Sequence, residues 1–494
     1  AACMPFAVML TSLQQGLVCA TASAITLGLI WRLRKKKSDP LQLEYFNVAP
    51  KQTLSDSLTS PVPLSGCDIS LKEAFSSVTW IFDIVLDKDK VSLGLSRALF
   101  AFPALSGRIR DGKIQDFGGT VPLTIVTKST EWIWDNSVTS KELEKCGIAL
   151  GSGFVTPLKP DHPLILARLT LFPASNRSVL SIRVNHGLAD GASMARLLRL
   201  WSAGCSGEVA SLTSPPRFVV PGAAECTKDD LLKKLPDVLA RSRLGNLLAM
   251  PRAISSQVFA SPCEVRIQNV AAFKASLQRH LPAKEWISSF EAIQAAFIVL
   301  DYELRGAPKD TRVRVAINLD LRQQNIDAFP KDYIGNSNVF VVADTDAGTI
   351  FTNPLQRIAQ TAMSFHNSFR EKLDEKEKLL QYHTWYNSAQ NAPGVLDSCR
   401  TKLIPPVFID EPFMQLANSW CKFDWFDGMD FGSGENPSQL LTGTGITMCA
   451  FRTIVPRTSS NDVDIAMRLT PSQIRHLRKL VRDWNLPFEV SASG

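Results

Sequence analysis

One short segment of the chain combines residue types that could carry out proton transfer. Residues 184–191 (VNHGLADG) place His186 four positions before Asp190. Imidazole titrates near neutral pH, so a histidine held in one orientation can remove a proton from a hydroxyl or an amine. By itself the segment predicts a general base. It equally allows a histidine that is hydrogen-bonded into the core at the end of a strand.

The sequence on either side of His186 predicts how this residue is positioned. Apolar residues alternate over 179–184, which predicts a strand with one apolar face, and recur at helical spacing over 192–203. His186 therefore lies where a strand is followed by a helix. We expect Gly187 and Gly191 to permit a tight turn there and Asp190 to fix that turn.

The remaining sequence predicts an α/β fold in two domains. We expect an N-terminal domain over 38–212, entered through a polar tether at 39–65, and a C-terminal domain over 256–494. Residues 213–255 are rich in proline, glycine and mixed charge, and are predicted to be the crossover linker. Further elements are predicted from periodicity and capping residues: strands at 164–172 and 313–318, a turn at 173–177, and helices at 288–300 and 470–484.

Composition argues against several classes of function. The chain has 494 residues and a net charge of +7, but five of these charges lie within residues 32–37, which leaves about +2 for residues 38–494. No basic excess remains for nucleic acid. Its ten cysteines and six histidines are scattered, without zinc-ligand spacing. We therefore expect no metal site and a reducing compartment.

An uncharged stretch precedes the body of the chain. Residues 4–31 are long enough to cross a bilayer and end at the basic cluster 32–37. We predict that residues 1–37 form a single-pass membrane anchor, with the body on the cytosolic or stromal side. Endoplasmic reticulum and plastid membranes fit this charge pattern equally well. A cleaved targeting segment is the alternative, because small residues occupy positions 20, 22 and 24, although a secretory signal carries its positive charge ahead of the apolar stretch.

Motifs spread over the body resemble those of the BAHD acyltransferases, and they occur in that family's order. His186, Asp190 and Gly191 match the HxxxDG motif. Other elements resemble LSxxD (64–68), FYPxAGR (99–108), the start of a second-domain helix (289–294), DxR (320–322) and YFGN (333–336). Residues 430–434 (DFGSG) resemble DFGWG, with Ser433 in place of tryptophan. Residues 418–420 (NSW) resemble TSW, with Asn418 in place of threonine.

The resemblance implies two similar chloramphenicol acetyltransferase-like domains with a channel between them. Acyl-CoA, as a co-substrate, and a hydrophobic small-molecule acceptor would meet at His186, and no bound cofactor is implied. His186 and Asp190 form the expected catalytic pair, with Asp190 in a structural role beside an arginine, for which Arg322 is the candidate.

The later motifs imply supporting roles. Asp430, Gly432 and Gly434 would hold the interface between the domains. Asn418 would donate to the oxyanion of the tetrahedral intermediate, and Trp420 would line the acyl pocket. The alternatives are that Asn418 caps a turn and that Trp420 fills core.

These features together predict an acyl-CoA-dependent O- or N-acyltransferase with His186 as general base. A condensation-type domain of peptide synthetases is a weaker alternative, because such domains carry a second histidine where this chain has Asn185. An alternative from another class is a catalytically silent, membrane-anchored accessory subunit of a membrane-protein complex. Its motivation is that Ser433 and Asn418 depart from the family pattern.

Overall fold

The computed structural model describes most of the chain beyond residue 41. The described residues are 42–50, 61–65, 68–69, 71–151, 159, 161–208, 260–308, 311–326, 329, 331, 333–348, 350–374, 376, 379–380, 383–384, 414–442, 451–459 and 461–492. Their strands are β1 (Gln42–Val48), β2 (Val62–Pro63), β3 (Phe75–Phe82), β4 (Arg108–Arg110), β5 (Lys113–Gln115), β6 (Val121–Thr127), β7 (Ile165–Phe172), β8 (Arg177–Asn185), β9 (Ser261–Ile267), β10 (Val313–Asp320), β11 (Asn338–Thr345), β12 (Met414–Ser419), β13 (Gln439–Thr442), β14 (Phe451–Pro456), β15 (Val463–Leu469) and β16 (Phe488–Ala492). Their α-helices are α1 (Lys88–Ala101), α2 (Ser140–Lys145), α3 (Gly191–Cys205), α4 (Val270–Gln278), α5 (Ser289–Arg305), α6 (Pro354–Asp374) and α7 (Pro471–Asp483).

The first large sheet carries the strand that leads to His186. Its strand order is β1-β6-β7-β8-β3-β13, and its pairs are antiparallel except β6 with β7. Helices α1 and α3 contribute buried apolar residues to a core shared with β3, β7 and β8. Because β8 lies between two neighbours and under α3, the strand end that carries the candidate base is rigidly held.

The second large sheet is built from later parts of the chain. Its order is β11-β10-β12-β14-β15-β9-β16, with parallel pairs between β10 and β12 and between β12 and β14. Helices α4, α5, α6 and α7 pack on it through a second core. Ser288 is the N-cap of α5 and forms a capping box with Glu291. Thr470 is the N-cap of α7 and forms a capping box with Gln473.

Most of the predicted elements are confirmed, with shifts of a few residues at their ends. The strand predicted at 164–172 is β7, that at 179–184 is β8 and that at 313–318 is β10, while the three predicted helices are α3, α5 and α7. The prediction of a tether at 39–65 is wrong for residues 42–48. These residues form β1, which pairs along its whole length with β6.

The two sheets do not divide the chain at a single point. Strand β13 lies within the predicted C-terminal domain, yet it pairs with β3 of the first sheet. The predicted linker 213–255 and the predicted membrane segment 4–31 lie outside the described residues. Among the helices that the structure describes, none is both long enough and apolar enough to span a bilayer.

Candidate active site

His186 lies in the short turn between β8 and α3, and neighbouring backbone fixes this turn. The backbone N–H of His186 donates to the carbonyl oxygen of Ala74 over 2.8 Å. Beneath it, the side chain of Asn185 donates to the carbonyl of Lys72 over 2.7 Å and accepts from the N–H of Gly187 over 2.9 Å. The turn is therefore tied to residues 72–74, just before β3 and more than one hundred positions away in sequence.

The glycines of the turn are required by close packing. We expected both to supply conformational freedom, but neither Gly187 nor Gly191 has a positive φ. A Cβ atom at Gly187 would lie 2.8 Å from the carbonyl oxygen of Asp68, and one at Gly191 would lie 2.7 Å from Cε2 of Phe423. At Gly187 the neighbour is backbone, so only glycine allows so close an approach, whereas a side chain at Gly191 would require the ring of Phe423 to shift.

Asp190 performs two structural tasks in the same turn. Its side chain caps α3 by accepting from the backbone N–H of Ser193 over 2.9 Å. Nη2 of Arg322 also lies 2.7 and 2.6 Å from its two carboxylate oxygens. Burial alone would raise the pKa of Asp190, but the charge and hydrogen bonds of Arg322 lower it below its usual value. Asp190 is thus a buried, paired carboxylate, and the structure brings Arg322 to it from the end of β10.

Arg322 joins the His186 turn to the second sheet through a buried polar network. It donates from Nε to Asp320 over 2.8 Å, and from Nη1 to the hydroxyl of Ser193 and the carbonyl of Tyr333. Ser337 donates its N–H to Asp190 and its hydroxyl to Asp320. Because its hydrogen bonds join residues from the two halves of the chain, this network fixes α3 relative to β10.

Asn336 contacts His186 directly. Its Nδ2 donates to the carbonyl oxygen of His186 over 2.7 Å and to Oδ1 of Asp68 over 2.7 Å. Asp68 is completely buried and also accepts from the N–H and hydroxyl of Ser65. Burial raises the pKa of Asp68 to about 6, although its four hydrogen bonds favour the ionised form.

The environment of His186 favours a neutral imidazole. Burial lowers the pKa of His186 below its usual value, while its own backbone carbonyl, the carboxylate of Asp190 and the side chain of Asn336 each act in the opposite direction. The residue retains partial exposure to solvent. A neutral imidazole that remains accessible can accept a proton, as a general base must.

A second histidine lies behind the turn. His383 is fully buried, with its Nε2 3.2 Å from the carbonyl oxygen of Asn336 and its ring 4.7 Å from that of Phe329. Burial lowers the pKa of His383 to about 4, so this ring is also neutral.

The 430–434 loop packs against the far end of α3. Phe431 is buried between Trp80, Phe82 and Trp201, and its backbone N–H donates to the hydroxyl of Ser202 over 2.8 Å. Ser433 closes the loop, because its hydroxyl donates to the carbonyl of Asp430 over 2.7 Å and accepts from the N–H of Glu435. Gly432 and Gly434 both have φ of +78°.

The structure places Asn418 and Trp420 at the end of β12. Asn418 is partly buried and lies opposite Thr453 of β14. Trp420 is 5% exposed and stacks on Trp425 within the first core, and its Nε1 would lie 3.3 Å from a Cβ at Gly191. Trp420 therefore packs in the first core beneath the start of α3.

Sequence reasoning did not assign site roles to Asp68, Asn336, Ser337 or His383. The first two lie in elements that were recognised by resemblance, but nothing in either element indicated contact with His186. Ser337 and His383 belong to no motif that was recognised in the sequence. Within the described residues, no group of three or more His, Cys, Asp or Glu side chains is arranged to hold a metal ion.

Comparisons with known proteins extend these observations. The fold is similar to that of F. graminearum TRI101 complexed with ethyl coenzyme A, with a TM-score of 0.64 and 16% identity over 87% of this chain and 99% of that one. It is also similar to vinorine synthase, with a TM-score of 0.61 and 17% identity over 89% and 98% of the two chains. A comparison with curated protein sequences gave no significant match. At these identities the structural likeness shows the fold alone.

A comparison with models of protein families identifies the family of this chain. The model described as the Transferase family matches residues 152–483, about two thirds of the chain, and this span includes both the His186 turn and the 430–434 loop. The chain is therefore a member of the Transferase family, the BAHD acyltransferases.

Proposed function

We propose that this protein transfers an acyl group from acyl-CoA to a hydroxyl or amine of a small, hydrophobic acceptor, with His186 as the general base. The observation that carries the proposal is the His186 turn itself. It presents a partly exposed histidine whose pKa is lowered by burial, and buried groups from both halves of the chain hold it in place.

The chemistry follows from a neutral imidazole in this position. His186 removes the proton from the acceptor as its oxygen or nitrogen attacks the thioester carbonyl. The tetrahedral intermediate collapses, the carbon–sulfur bond breaks, and the imidazolium returns its proton to the sulfur of CoA. The substrates would meet in a channel between the two domains. Coenzyme A is proposed as the thiol because TRI101, which shares this fold, was solved in complex with ethyl coenzyme A.

The tetrahedral intermediate needs a hydrogen-bond donor for its oxyanion. Asn418 is our candidate, because it is partly exposed at the end of β12, two residues from the tryptophan that packs beneath α3. Removal of such a donor commonly costs about 2.7–4 kcal/mol of barrier.

The substitution at Ser433 does not favour a catalytically silent protein. Ser433 closes the 430–434 loop with its own hydroxyl, and Phe431 still fills the core. Of the two departures that motivated the accessory-subunit alternative, the one at Ser433 is thus accommodated locally. The buried hydrogen bonds of Arg322 and Asn336 that hold the His186 turn are present in the same molecule.

The proposal is tested by assaying CoA release from a panel of acyl-CoAs with hydrophobic alcohols and amines. The full chain is compared with His186→Ala, and His476→Ala, at an exposed position on α7, is the matched control. We expect His186→Ala to lower kcat by about 10²-fold or more and the control to match wild type. Equal turnover by His186→Ala would exclude the mechanism.

The pH dependence of the same reaction provides a second check. Because the pKa of His186 lies below its usual value of 6.5, the base is mainly neutral at pH 7, and kcat should fall only at a pH below 6.5.

We further propose that residues 4–31 attach the protein to a membrane, with the body on the cytosolic or stromal side. The support is the uncharged length of the segment and its basic flank. A membrane-bound enzyme would meet membrane-dissolved acceptors at high local concentration. Extraction of the full chain from membranes by alkaline carbonate, without detergent, would contradict this proposal.

A further inference from the structure

We propose that Asn336, oriented by Asp68, is a positioning residue that holds His186 in its reactive geometry. The proposal rests on the function proposed above and adds a second pair of residues to the site. This pair is separate from the Asp190–Arg322 ion pair, which reaches the turn from its other end.

The orientation of the Asn336 amide is determined by its neighbours. Nδ2 lies 2.7 Å from Oδ1 of Asp68 and 2.7 Å from the backbone oxygen of His186. A carboxylate and a carbonyl can only accept hydrogen bonds, so the NH₂ group of Asn336 must face them and its oxygen must point elsewhere. The amide therefore has one allowed orientation.

The backbone carbonyl of His186 is the point through which Asn336 acts. The His186 ring interacts with this carbonyl and with the Asn336 side chain, and both interactions raise its pKa. A change in the carbonyl direction would therefore change the orientation of the ring. Asn336 holds this carbonyl from a position 150 residues away in sequence.

The backbone of Asn336 is held on both sides. Its N–H donates to Oδ1 of Asp68 over 3.1 Å, and its carbonyl lies 3.2 Å from Nε2 of His383. Side chain and backbone of this residue are thus fixed by two buried titratable groups, which gives the positioning contact little freedom.

The buried charge of Asp68 is costly for stability. Its pKa in the folded state is raised to about 6, above the ordinary 3.8, so the folded protein binds the proton more tightly than the unfolded chain does. The carboxylate therefore lowers stability progressively as the pH rises from about 4 to about 6, and the cost is fully present at pH 7. A residue that lowers stability in this way is expected where it is needed for function, as at an active site.

Asn336→Ala tests the positioning contact. We expect kcat to fall by about 10-fold or more, as part of the 10² to 10⁴ that a positioned base contributes, with the KM for acyl-CoA changed by less than about twofold. Because Asn336 raises the pKa of His186, its removal should also move the acid limb of the kcat profile to lower pH.

Asp68→Asn separates catalysis from folding. It removes the buried charge but keeps only one acceptor oxygen for the donors of Ser65 and Asn336. These two effects on stability oppose each other, so the free energy of unfolding at pH 7 should stay close to that of wild type, while kcat falls because Asn336 loses the carboxylate that orients its amide. The double variant should lose no more kcat than Asn336→Ala alone, since both changes act on one contact. The matched control is Thr79→Val. It removes a buried hydrogen bond between β3 and β8 of the first large sheet, from Thr79 to Ser181, and should leave the pH profile of kcat unchanged.

Nitrogen NMR of histidine-labelled protein supplies a readout that needs no substrate. The ring signals of His186, assigned with His186→Ala, should change tautomer balance or titration midpoint in Asn336→Ala but not in Thr79→Val. Unchanged signals together with an unchanged kcat profile would overturn the positioning role. If the signals change but no acyl-CoA is turned over even by wild type, the proposed function fails while the positioning contact stands.

Discussion

The His186 turn and the 430–434 loop are both short, glycine-containing segments that contact α3, yet they are held in different ways. Groups distant in sequence hold the turn: Arg322 and Asn336 from the second half of the chain, and the backbone of residues 68–74 from before β3. The loop is closed mainly by its own hydrogen bonds, between Asp430, Ser433 and Glu435.

This difference accounts for the departure from the family pattern at Ser433. A local loop can accept a serine in place of tryptophan when the new hydroxyl closes it and Phe431 still anchors it. The turn has less freedom, because His186, Gly187 and Asp190 each meet a partner from a distant part of the chain. We therefore expect substitutions in the turn to cost more than substitutions in the loop.

The largest effect on stability is expected for Arg322→Ala. The change leaves Asp190 and Asp320 buried without their cation, which should lower the free energy of unfolding by about 3–5 kcal/mol. Urea denaturation at pH 7 measures this loss. Arg110→Ala removes a half-exposed arginine that pairs with Asp116, and should cost less than about 1 kcal/mol. Similar losses for both variants would contradict the assigned role of Arg322.

An intermediate effect is expected for Gly187→Ala. The added methyl group would meet the backbone of Asp68 and Lys72, which cannot rotate away as a side chain could. We expect a loss of about 1–3 kcal/mol and a lower kcat, because the displaced backbone adjoins His186. Gly151→Ala is the control, since its Cβ would meet nothing within 4 Å. A wild-type melting curve for Gly187→Ala would show that the turn is not closely packed.

The smallest effect is expected for Ser433→Ala. It removes the hydroxyl that closes the 430–434 loop and should cost about 0.5–1.5 kcal/mol with little change in kcat. Ser202→Ala, which leaves the buried N–H of Phe431 without its acceptor, should cost about 1–3 kcal/mol. If Ser433→Ala were the more damaging of the two, the loop would depend on Ser433 more than its hydrogen bonds indicate.

Elements with clear periodicity and capping residues could be predicted from the sequence. Helices α3, α5 and α7 and strands β7, β8 and β10 were identified, because burial of one face gives each a recognisable spacing. Strand β1 was missed, because Pro40, Pro50 and the polar residues around it resemble a tether. Its own residues are mostly exposed at the sheet edge. The placement of β13 in the first sheet has no local signal at all.

The residues of the candidate site likewise divide into those that could be predicted from the sequence and those that could not. The sequence by itself determined that His186 lies between a strand and a helix, because those elements depend on nearby residues. Only the tertiary structure decided that Asn336 and Asp68 meet the turn, and that its glycines are needed for close approach. Those facts depend on backbone from distant segments, and hydrogen bonds between such segments leave no periodic trace in the chain.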